Sequence, residues 1–324
     1  MESEYPSPQT PPETVAPAPL FNRFLERGRE GKNDWWRYAV GVIISFGGYL
    51  LFSAPILVVM SAALLKKGII NEQEMREKMT NPEFLGLNPN VLLVLLLLSF
   101  AGAMIGLWLA VKFIHKKSFT SIITFAEKIR WKRVATAAMA WFVFSGLWIV
   151  FALIKDPENL RFTFQSGPFF VSLIIALIFL PAQTWWEEFM MRGYLLQAIG
   201  QRTKTAFIPV ISTSLIFGLL HAGNPEVATH GFLNTMPMYI LPGLLFGIIA
   251  VLDEGLEIPM GFHFANNLFG TIVITNDNSA IQAFTIWRQN SPDATLDTLQ
   301  MLQLPLFLIA FMFIYKWDFK KLYR

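Results

Sequence analysis

Long apolar segments dominate this chain and limit what it can fold into. They fall near 38–65, 91–114, 134–154, 168–190 and 205–222, with shorter ones near 237–252 and 257–275 and a last one near 299–316. About 20 apolar residues in a helix cross the hydrocarbon core of a bilayer, where the backbone must satisfy its own polar groups. The pattern predicts an all-α, polytopic membrane protein with about eight transmembrane helices.

The composition agrees with this class. Of the 324 residues, 54% are hydrophobic and only 15% are charged, against roughly a quarter charged in soluble domains. The chain has no cysteine, which excludes disulfides, a thiol nucleophile and cysteine-bound metals. The formal charge of +3 comes from lysines and arginines that are placed as signals of membrane topology. A lipid bilayer is therefore the expected partner, and nucleic acid is not.

Lysine and arginine alternate between the two sides of the predicted bundle. Most lie in segments 1–37, 112–133, 202–204 and 316–324, and far fewer lie in the segments on the other side. The positive-inside rule then places both termini in the cytoplasm, and we expect the plasma or inner membrane of a prokaryote. Residues 1–33 are predicted to form a disordered, proline-rich and then basic amphipathic tail, and residues 34–324 the membrane domain. The polar loops 66–90 and 276–298 carry no chemical motif.

Two glutamates and an arginine interrupt the fourth apolar segment. A charge at the centre of a membrane helix costs at least roughly 2.5–3.5 kcal/mol, so it indicates function by default. Glu188 and Arg192 are four residues apart and face each other on a helix, whereas Glu187 points about 100° away from Glu188. We predict a structural Glu188–Arg192 pair and a Glu187 carboxylate that is free for chemistry.

Two later segments each carry polar or aromatic residues one helical turn apart. Phe217 precedes His221 in the fifth segment, and His263 precedes Asn267 in the seventh. Together with Glu187, and with Gln183 one turn before it, they predict an intramembrane polar cavity. His221 and Glu187 are expected at the same depth, and the 253–257 turn is expected to line a water-filled cavity that opens to the cytoplasm.

Each residue also has a simpler interpretation. The Glu188–Arg192 pair could only fix helix register, a single membrane histidine is more often a satisfied hydrogen-bonding residue, and Asn267 could only join two helices. His115 and His230 are expected to be solvated and have no predicted role.

The three motifs resemble the signature of the CPBP family. They are E-E-x-x-x-R at 187–192, F-x-x-x-H at 217–221 and H-x-x-x-N at 263–267. This family comprises CAAX prenyl endopeptidases of the Ras-converting type and their Abi or bacteriocin-processing relatives. The resemblance covers about 168–275, and the three motifs together, in order on separate segments, are specific.

The resemblance implies peptide hydrolysis inside the membrane by a glutamate-activated water. Glu187 is then the general base, His221 helps to hold the water, and His263 and Asn267 stabilise the oxyanion. Glu188, Arg192, Gln183 and Phe217 support them. The implied substrate is a peptide or a prenylated or lipid-associated protein.

Metal dependence and function class stay open at this point. Glu187, His221 and His263 could supply a zinc site with an open position, but the H-E-x-x-H pattern is absent, and we favour a metal-free mechanism without a cofactor. A non-catalytic membrane scaffold or immunity factor could keep the same polar residues. A proton-coupled transporter is disfavoured because no inverted repeat is visible. Oligomeric state has no sequence signal.

Overall fold

Each of the eight predicted apolar segments contains a helix in the computed structural model, which describes residues 22–68, 78–203, 205–277, 279–290 and 303–323. The eight helices are α1 (Trp35–Lys67), α2 (Pro89–Leu109), α3 (Trp131–Lys155), α4 (Ser166–Glu188), α5 (Phe207–Leu220), α6 (Phe232–Leu252), α7 (Glu257–Ile272) and α8 (Gln303–Tyr315). Short α-helices cover Arg23–Glu26, Pro82–Leu85, Leu196–Gly200 and Pro225–His230, and 3₁₀ turns cover Arg27–Arg29, Phe119–Ile122, Pro157–Asn159 and Phe319–Leu322.

Five of these helices are long and apolar enough to cross a membrane. They are α1, α2 with its continuation to Ile114, α3, α4 with its continuation to Gly200, and α6; α5 and α8 are shorter apolar helices. Large apolar side chains such as Ile43, Leu147 and Ile154 are exposed on α1 and α3, as lipid-facing surfaces require. The all-α polytopic class is confirmed, with five helices of full spanning length.

The helices pack in two groups around α4. In one group α1 lies on α2, α2 on α4, α4 on α7 and α7 on α3, and in the other α5 lies on α6. Small residues permit the closest approaches: an added Cβ at Gly48 or Gly102 would overlap the carbonyl oxygen of the other glycine. On α6, Gly243 and Gly247 lie against Ser214 and Val210 of α5.

The helix α4 widens directly after its two glutamates. A π-helical turn covers Phe189–Leu195, and an α-helical turn follows at Leu196–Gly200. Gly193 in this turn faces the carbonyl oxygen of Ile122, where any side chain would overlap it. Such π turns are rare and are frequent at functional sites.

A small sheet, which the sequence did not predict, joins the loops at one end of the bundle. Its strands are β1 (Leu160–Phe162), β2 (Ile274–Thr275) and β3 (Trp287–Gln289), in the order β1-β3-β2. β3 is antiparallel to β1, pairing Leu160 with Gln289, and parallel to β2, pairing Ile274 with Trp287. We call this the sheet end, and the opposite end, which carries most of the lysines and arginines, the basic end.

The turn between α6 and α7 closes the basic end. Asp253, Glu254 and Glu257 are buried, with Glu254 only 2% exposed. Arg23 and Lys321 pair with Glu254 at 2.5 and 3.0 Å, and Arg130 pairs with Glu257 at 2.6 Å. The expectation that this turn lines a water-filled cavity open to the cytoplasm is therefore wrong, because basic side chains from three distant segments cover and neutralise its carboxylates.

The N-terminal segment is part of this closure. Phe24 and Leu25 are fully buried, and the Asn22 amide donates to the carbonyl oxygen of Val251 at 2.8 Å. Residues 22–33, which the sequence assigns to the tail, thus pack against the membrane domain. Residues 1–21 of the predicted tail lie outside the described residues.

His115 is buried, which contradicts the prediction that it is solvated, whereas His230 is exposed as expected. The His115 Nδ1 lies 2.7 Å from the carbonyl oxygen of Lys32, and Nε2 lies 2.7 Å from the Tyr194 hydroxyl. The carbonyl oxygen can only accept, so Nδ1–H donates a hydrogen bond to it, and Nε2 of the neutral imidazole accepts one from the tyrosine hydroxyl. Burial lowers the pKa of His115 to about 4.

The buried imidazole makes stability depend on pH. The unfolded chain binds a proton at His115 below its ordinary pKa of 6.5, whereas the folded chain resists protonation until about pH 4. Stability should therefore be full near pH 7 and fall as the pH drops through this window, by on the order of 2 kcal/mol between pH 7 and pH 5. Thermal midpoints of the purified protein in detergent measure this; His115→Gln should flatten the dependence, whereas His230→Gln should leave it unchanged.

Candidate active site

Two glutamates from α4 and one histidine from α7 meet in the interior of the bundle. The His263 Nδ1 lies 2.8 Å from Glu188 Oε1, and its Nε2 lies 3.6 Å from Glu187 Oε2. All three residues are buried: Glu188 has no solvent exposure, and Glu187 is 7% exposed. The imidazole thus stands between two carboxylates that are neighbours in sequence.

Arg192 balances the charge of Glu188, as their spacing predicts. Arg192 Nη1 lies 3.1 Å from Glu188 Oε1, and both side chains are fully buried. The guanidinium stacks over the Phe217 ring, with its carbon 4.3 Å from the ring centroid. The small Gly243 of α6 leaves the space for Arg192 Nη2. Residues of α4, α5 and α6 therefore surround this one cation.

The hydrogen bond to Glu188 determines how His263 can act. A carboxylate oxygen at 2.8 Å from Nδ1 requires the proton on that nitrogen. A neutral His263 then presents an unprotonated Nε2 toward Glu187, and it donates from Nε2 only as an imidazolium. The Glu188–Arg192 pair is neutral as a unit, so an imidazolium would be balanced by Glu187.

Several buried polar atoms here lack a hydrogen-bond partner among the described residues. They are Gln183 Oε1, Glu188 Oε2, and Nε and Nη2 of Arg192. Buried polar groups are nearly always hydrogen-bonded in folded proteins. This site therefore has both donors and acceptors to offer to a water molecule or a substrate amide.

His221 lies outside the cluster of Glu187, Glu188 and His263. It caps the C-terminal end of α5, where its Nδ1 lies 2.7 Å from the carbonyl oxygen of Phe217. Its ring stacks on Tyr239 of α6 with centroids 4.4 Å apart. Within the described part of the chain, no hydrogen bond or ion pair joins His221 to Glu187.

Tyr239 is a site residue that sequence reasoning missed. Its hydroxyl accepts a hydrogen bond from the Asn224 amide at 2.9 Å, and its ring stacks on the His221 imidazole. Its one signal in the sequence is a phenol within the otherwise apolar run of α6.

Asn267 follows His263 by one turn of α7, as predicted, and it is partly exposed. Its Oδ1 accepts from the Asn266 amide at 3.0 Å, and its carbonyl oxygen accepts from the Thr271 hydroxyl at 2.7 Å. Among the described residues, no hydrogen bond joins Asn267 to Glu187.

The residues as placed do not fit a three-ligand zinc site. His263 approaches Glu187, and the bond from His221 Nδ1 to the Phe217 carbonyl oxygen leaves Nε2 of that imidazole free, but the three side chains do not converge on one point. No group of three or more carboxylate or imidazole side chains in the described ranges is arranged to hold a metal ion.

Comparison with known proteins locates the site within a shared region. The family model described as type II CAAX prenyl endopeptidase Rce1-like matches residues 167–269, which include every predicted site residue. The chain is also 31% identical over 278 residues to the uncharacterized protein YyaK of Bacillus subtilis (strain 168), covering 83% of this chain and 89% of that protein. No solved structure matches closely enough to count as similar.

The fold and the site define a polytopic, helical integral membrane protein with a buried glutamate–histidine centre. The chain belongs to the Rce1-like family of type II CAAX prenyl endopeptidases. Membership of this family supports the general assignment of this chain as an intramembrane protease of the CAAX type.

Replacing Arg192 tests the enclosed ion pair. Arg192→Gln leaves Glu188 buried without its cation, and we expect a loss of about 3–5 kcal/mol in the free energy of unfolding, because breaking a buried pair is costly. The double variant Glu188→Gln with Arg192→Gln removes both charges and should recover much of that loss. Thermal midpoints in detergent compare the two; a double variant as unstable as the single one would contradict the pairing.

Proposed function

We propose that this protein is a CPBP-type intramembrane endopeptidase in which Glu187 is the general base. The observation that carries the proposal is the Glu187 carboxylate, 3.6 Å from a His263 whose other nitrogen is held by the Glu188–Arg192 pair. A free carboxylate beside a fixed imidazole can accept a proton and return it.

The reaction proceeds as a hydrolysis in two proton transfers. Glu187 takes a proton from water, and the water oxygen bonds to the carbonyl carbon of the scissile peptide. The carbonyl electrons move to its oxygen and form a tetrahedral oxyanion. When this collapses, the C–N bond breaks and Glu187 returns its proton to the leaving nitrogen, so that protons and charge balance.

Stabilisation of the oxyanion falls to two donors on α7. The Asn267 amide is one donor, and each such donor contributes about 3 kcal/mol in a site that excludes bulk water. His263 is a second donor in its imidazolium form. Its Nδ1–H is already hydrogen-bonded to Glu188, and only the imidazolium carries a second N–H, on Nε2. His221 helps to hold the water, with Tyr239 fixing its ring.

The proposed substrate is a peptide segment of a membrane-associated protein, either of the CAAX type or bacteriocin-like. The match to the type II CAAX prenyl endopeptidase Rce1-like model supports the class, and apolar walls around the polar centre suit a segment that lies in the bilayer.

Glu187→Gln is the direct test, since it preserves shape and removes the base. Hydrolysis should fall by about 100-fold or more, the usual contribution of general acid–base catalysis. The measurement compares membrane peptides, by mass spectrometry, in cells that produce the wild type or the variant. Glu83→Gln, an exposed glutamate far from the site in sequence, is the matched control and should process peptides normally.

The same comparison separates the alternative function. A scaffold or immunity factor that only needs the polar residues for shape would keep its biological effect in Glu187→Gln. An unchanged peptide profile together with an unchanged effect would therefore reject the protease assignment.

Metal dependence is decided on the purified wild-type protein. We propose that hydrolysis needs no zinc, because the donors do not converge as placed. Activity should survive a zinc-specific chelator, and elemental analysis should find no bound zinc. Stoichiometric zinc whose removal abolishes activity would make Glu187, His221 and His263 the ligands to test first.

We also propose that both termini and the basic end face the cytoplasm, which rests on the charge bias of the loops. Lys128 lies just before α3 and Lys155 is its last residue; both are exposed, and the cysteine-free chain gives no background labelling. In intact cells a membrane-impermeant maleimide should label Lys155→Cys, and it should label Lys128→Cys only after permeabilisation. The reverse pattern would invert the topology.

A further inference from the structure

A cavity of about 240 Å³ lies at the sheet end, between α3, α7 and the strand β2. We call this space the sheet-end cavity. Aromatic rings form much of its wall, with Trp141 and Trp148 from α3 and Phe269 from α7. The polar residues that line it are Asp156, the amides Asn159, Asn266, Asn276 and Gln289, and the hydroxyl residues Thr275 and Ser279.

The described lining of this cavity has one formal charge, and it is negative. Asp156 is the one ionisable residue among the described residues that line the cavity, and it is half-buried. The basic residues of the adjoining segments, Lys155, Arg161 and Arg288, do not line it, and Arg288 pairs with Asp277 at 3.1 Å. The Asp156 carboxylate therefore attracts a cation from outside the cavity.

The strands turn their arginines away from the cavity. In the sheet Leu160 pairs with Gln289, and Arg161 pairs with Arg288. Successive side chains of a strand point to opposite faces, and Leu160 and Gln289 are the two that line the cavity. Both arginines therefore lie on the other face of the sheet.

The two helices that form the wall end beside the cavity. α3 ends at Lys155 and α7 at Ile272, and Asp156 and Ile274, which follow these ends closely, line the cavity. The C-terminal end of a helix carries a partial charge of about −0.5 and favours cations. Both helix ends thus add to the negative potential of Asp156.

The cavity adjoins the lipid-facing surface of α3. Trp148 and Ile149 line it, whereas Leu147, Phe151 and Ile154 on the same stretch of helix are exposed apolar side chains. Because α3 is long and apolar enough to cross a membrane, its last turns lie where the acyl chains give way to the headgroups. Lipid is concentrated there, so even a weak site for a headgroup would be filled.

We propose that the sheet-end cavity binds the headgroup of a phospholipid that carries a primary ammonium group, of the phosphatidylethanolamine type. The ammonium donates hydrogen bonds to the Asp156 carboxylate and to amide oxygens, and the amide NH₂ groups donate to the phosphate. A primary ammonium has three donors and no acceptor, which matches a carboxylate among amide oxygens, whereas a quaternary ammonium has no N–H to offer. The volume is below the 300–1,000 Å³ of pockets for drug-sized ligands, so the cavity holds a headgroup while the acyl chains stay on the surface of α3.

Lipid selectivity is the first test. The full-length protein is delipidated in detergent, and native mass spectrometry measures its binding of phosphatidylethanolamine, phosphatidylcholine and phosphatidylglycerol with identical acyl chains. Phosphatidylethanolamine should bind about tenfold more tightly than the other two, the equivalent of one hydrogen bond to a charged group. Glu187→Gln should show the same selectivity, so this site is tested separately from the proposed catalysis.

A charge-removing variant locates the selectivity at Asp156. Asp156→Asn should weaken the binding of phosphatidylethanolamine about tenfold and leave that of phosphatidylcholine unchanged. Glu158→Gln is the matched control, because Glu158 is an exposed acid two residues further on that does not line the cavity. It should bind all three lipids as the wild type does.

A cavity-filling variant tests the position independently of charge. Gly270 lines the cavity, and a Cβ added there meets no atom within 4 Å. Gly270→Leu should therefore remove the preference for phosphatidylethanolamine at an unchanged or higher thermal midpoint, since glycine is a poor helix former. Gly146→Leu is its control: a Cβ at Gly146 of α3 also meets no atom within 4 Å, but Gly146 does not line the cavity, and the variant should keep the preference.

Three results would overturn the proposal. The first is equal binding of the three lipids by the wild type, and the second is a preference for phosphatidylethanolamine that persists in both Asp156→Asn and Gly270→Leu. The third uses N-acetyl-lysine amide as the probe. If this probe binds in an Asp156-dependent way while the protein shows no preference among the lipids, the cavity takes a basic peptide side chain and not a headgroup.

Discussion

The buried pair of Glu188 and Arg192 is the interaction on which the interior of this protein depends. Two full charges away from water are tolerated only when they satisfy each other. Here Glu188 also orients the imidazole of α7 at 2.8 Å, and Arg192 lies on the Phe217 ring of α5. One ion pair therefore fixes how α4, α5 and α7 meet, and among the described residues Glu187 next to it forms no ion pair with a lysine or arginine.

The two ends of the bundle differ in how they are closed. At the basic end, carboxylates of the α6–α7 turn bind arginines and lysines from the N-terminal segment, the start of α3 and the C-terminal segment. At the sheet end, short strands and loops enclose a cavity of about 240 Å³. The ion-paired end holds the helices together, whereas the sheet end leaves open space between them.

Hydrogen bonding of His263 changes the chemistry that its sequence position indicates. An imidazole beside an asparagine on α7 looks like a pair of oxyanion donors. In the structure Glu188 accepts a hydrogen bond from Nδ1–H. The histidine can therefore donate from Nε2 only when it is charged. The Glu187 carboxylate then serves both as the proposed base and as the counter-charge, which couples the two roles.

The sequence by itself determined the helices and the pairs within one helix. Apolar length predicts the eight helices, and four-residue spacing predicts the Glu188–Arg192 pair and the placement of Asn267 one turn after His263, because these relations are local. Only the tertiary structure decided that His115 is buried, that the 253–257 turn is sealed by ion pairs, and that the His221 ring stacks on Tyr239. The partners of these residues lie far away in sequence or on another helix. Packing sets the rotation and depth of each helix, and the hydrophobic periodicity of a helix that is surrounded by lipid says little about either.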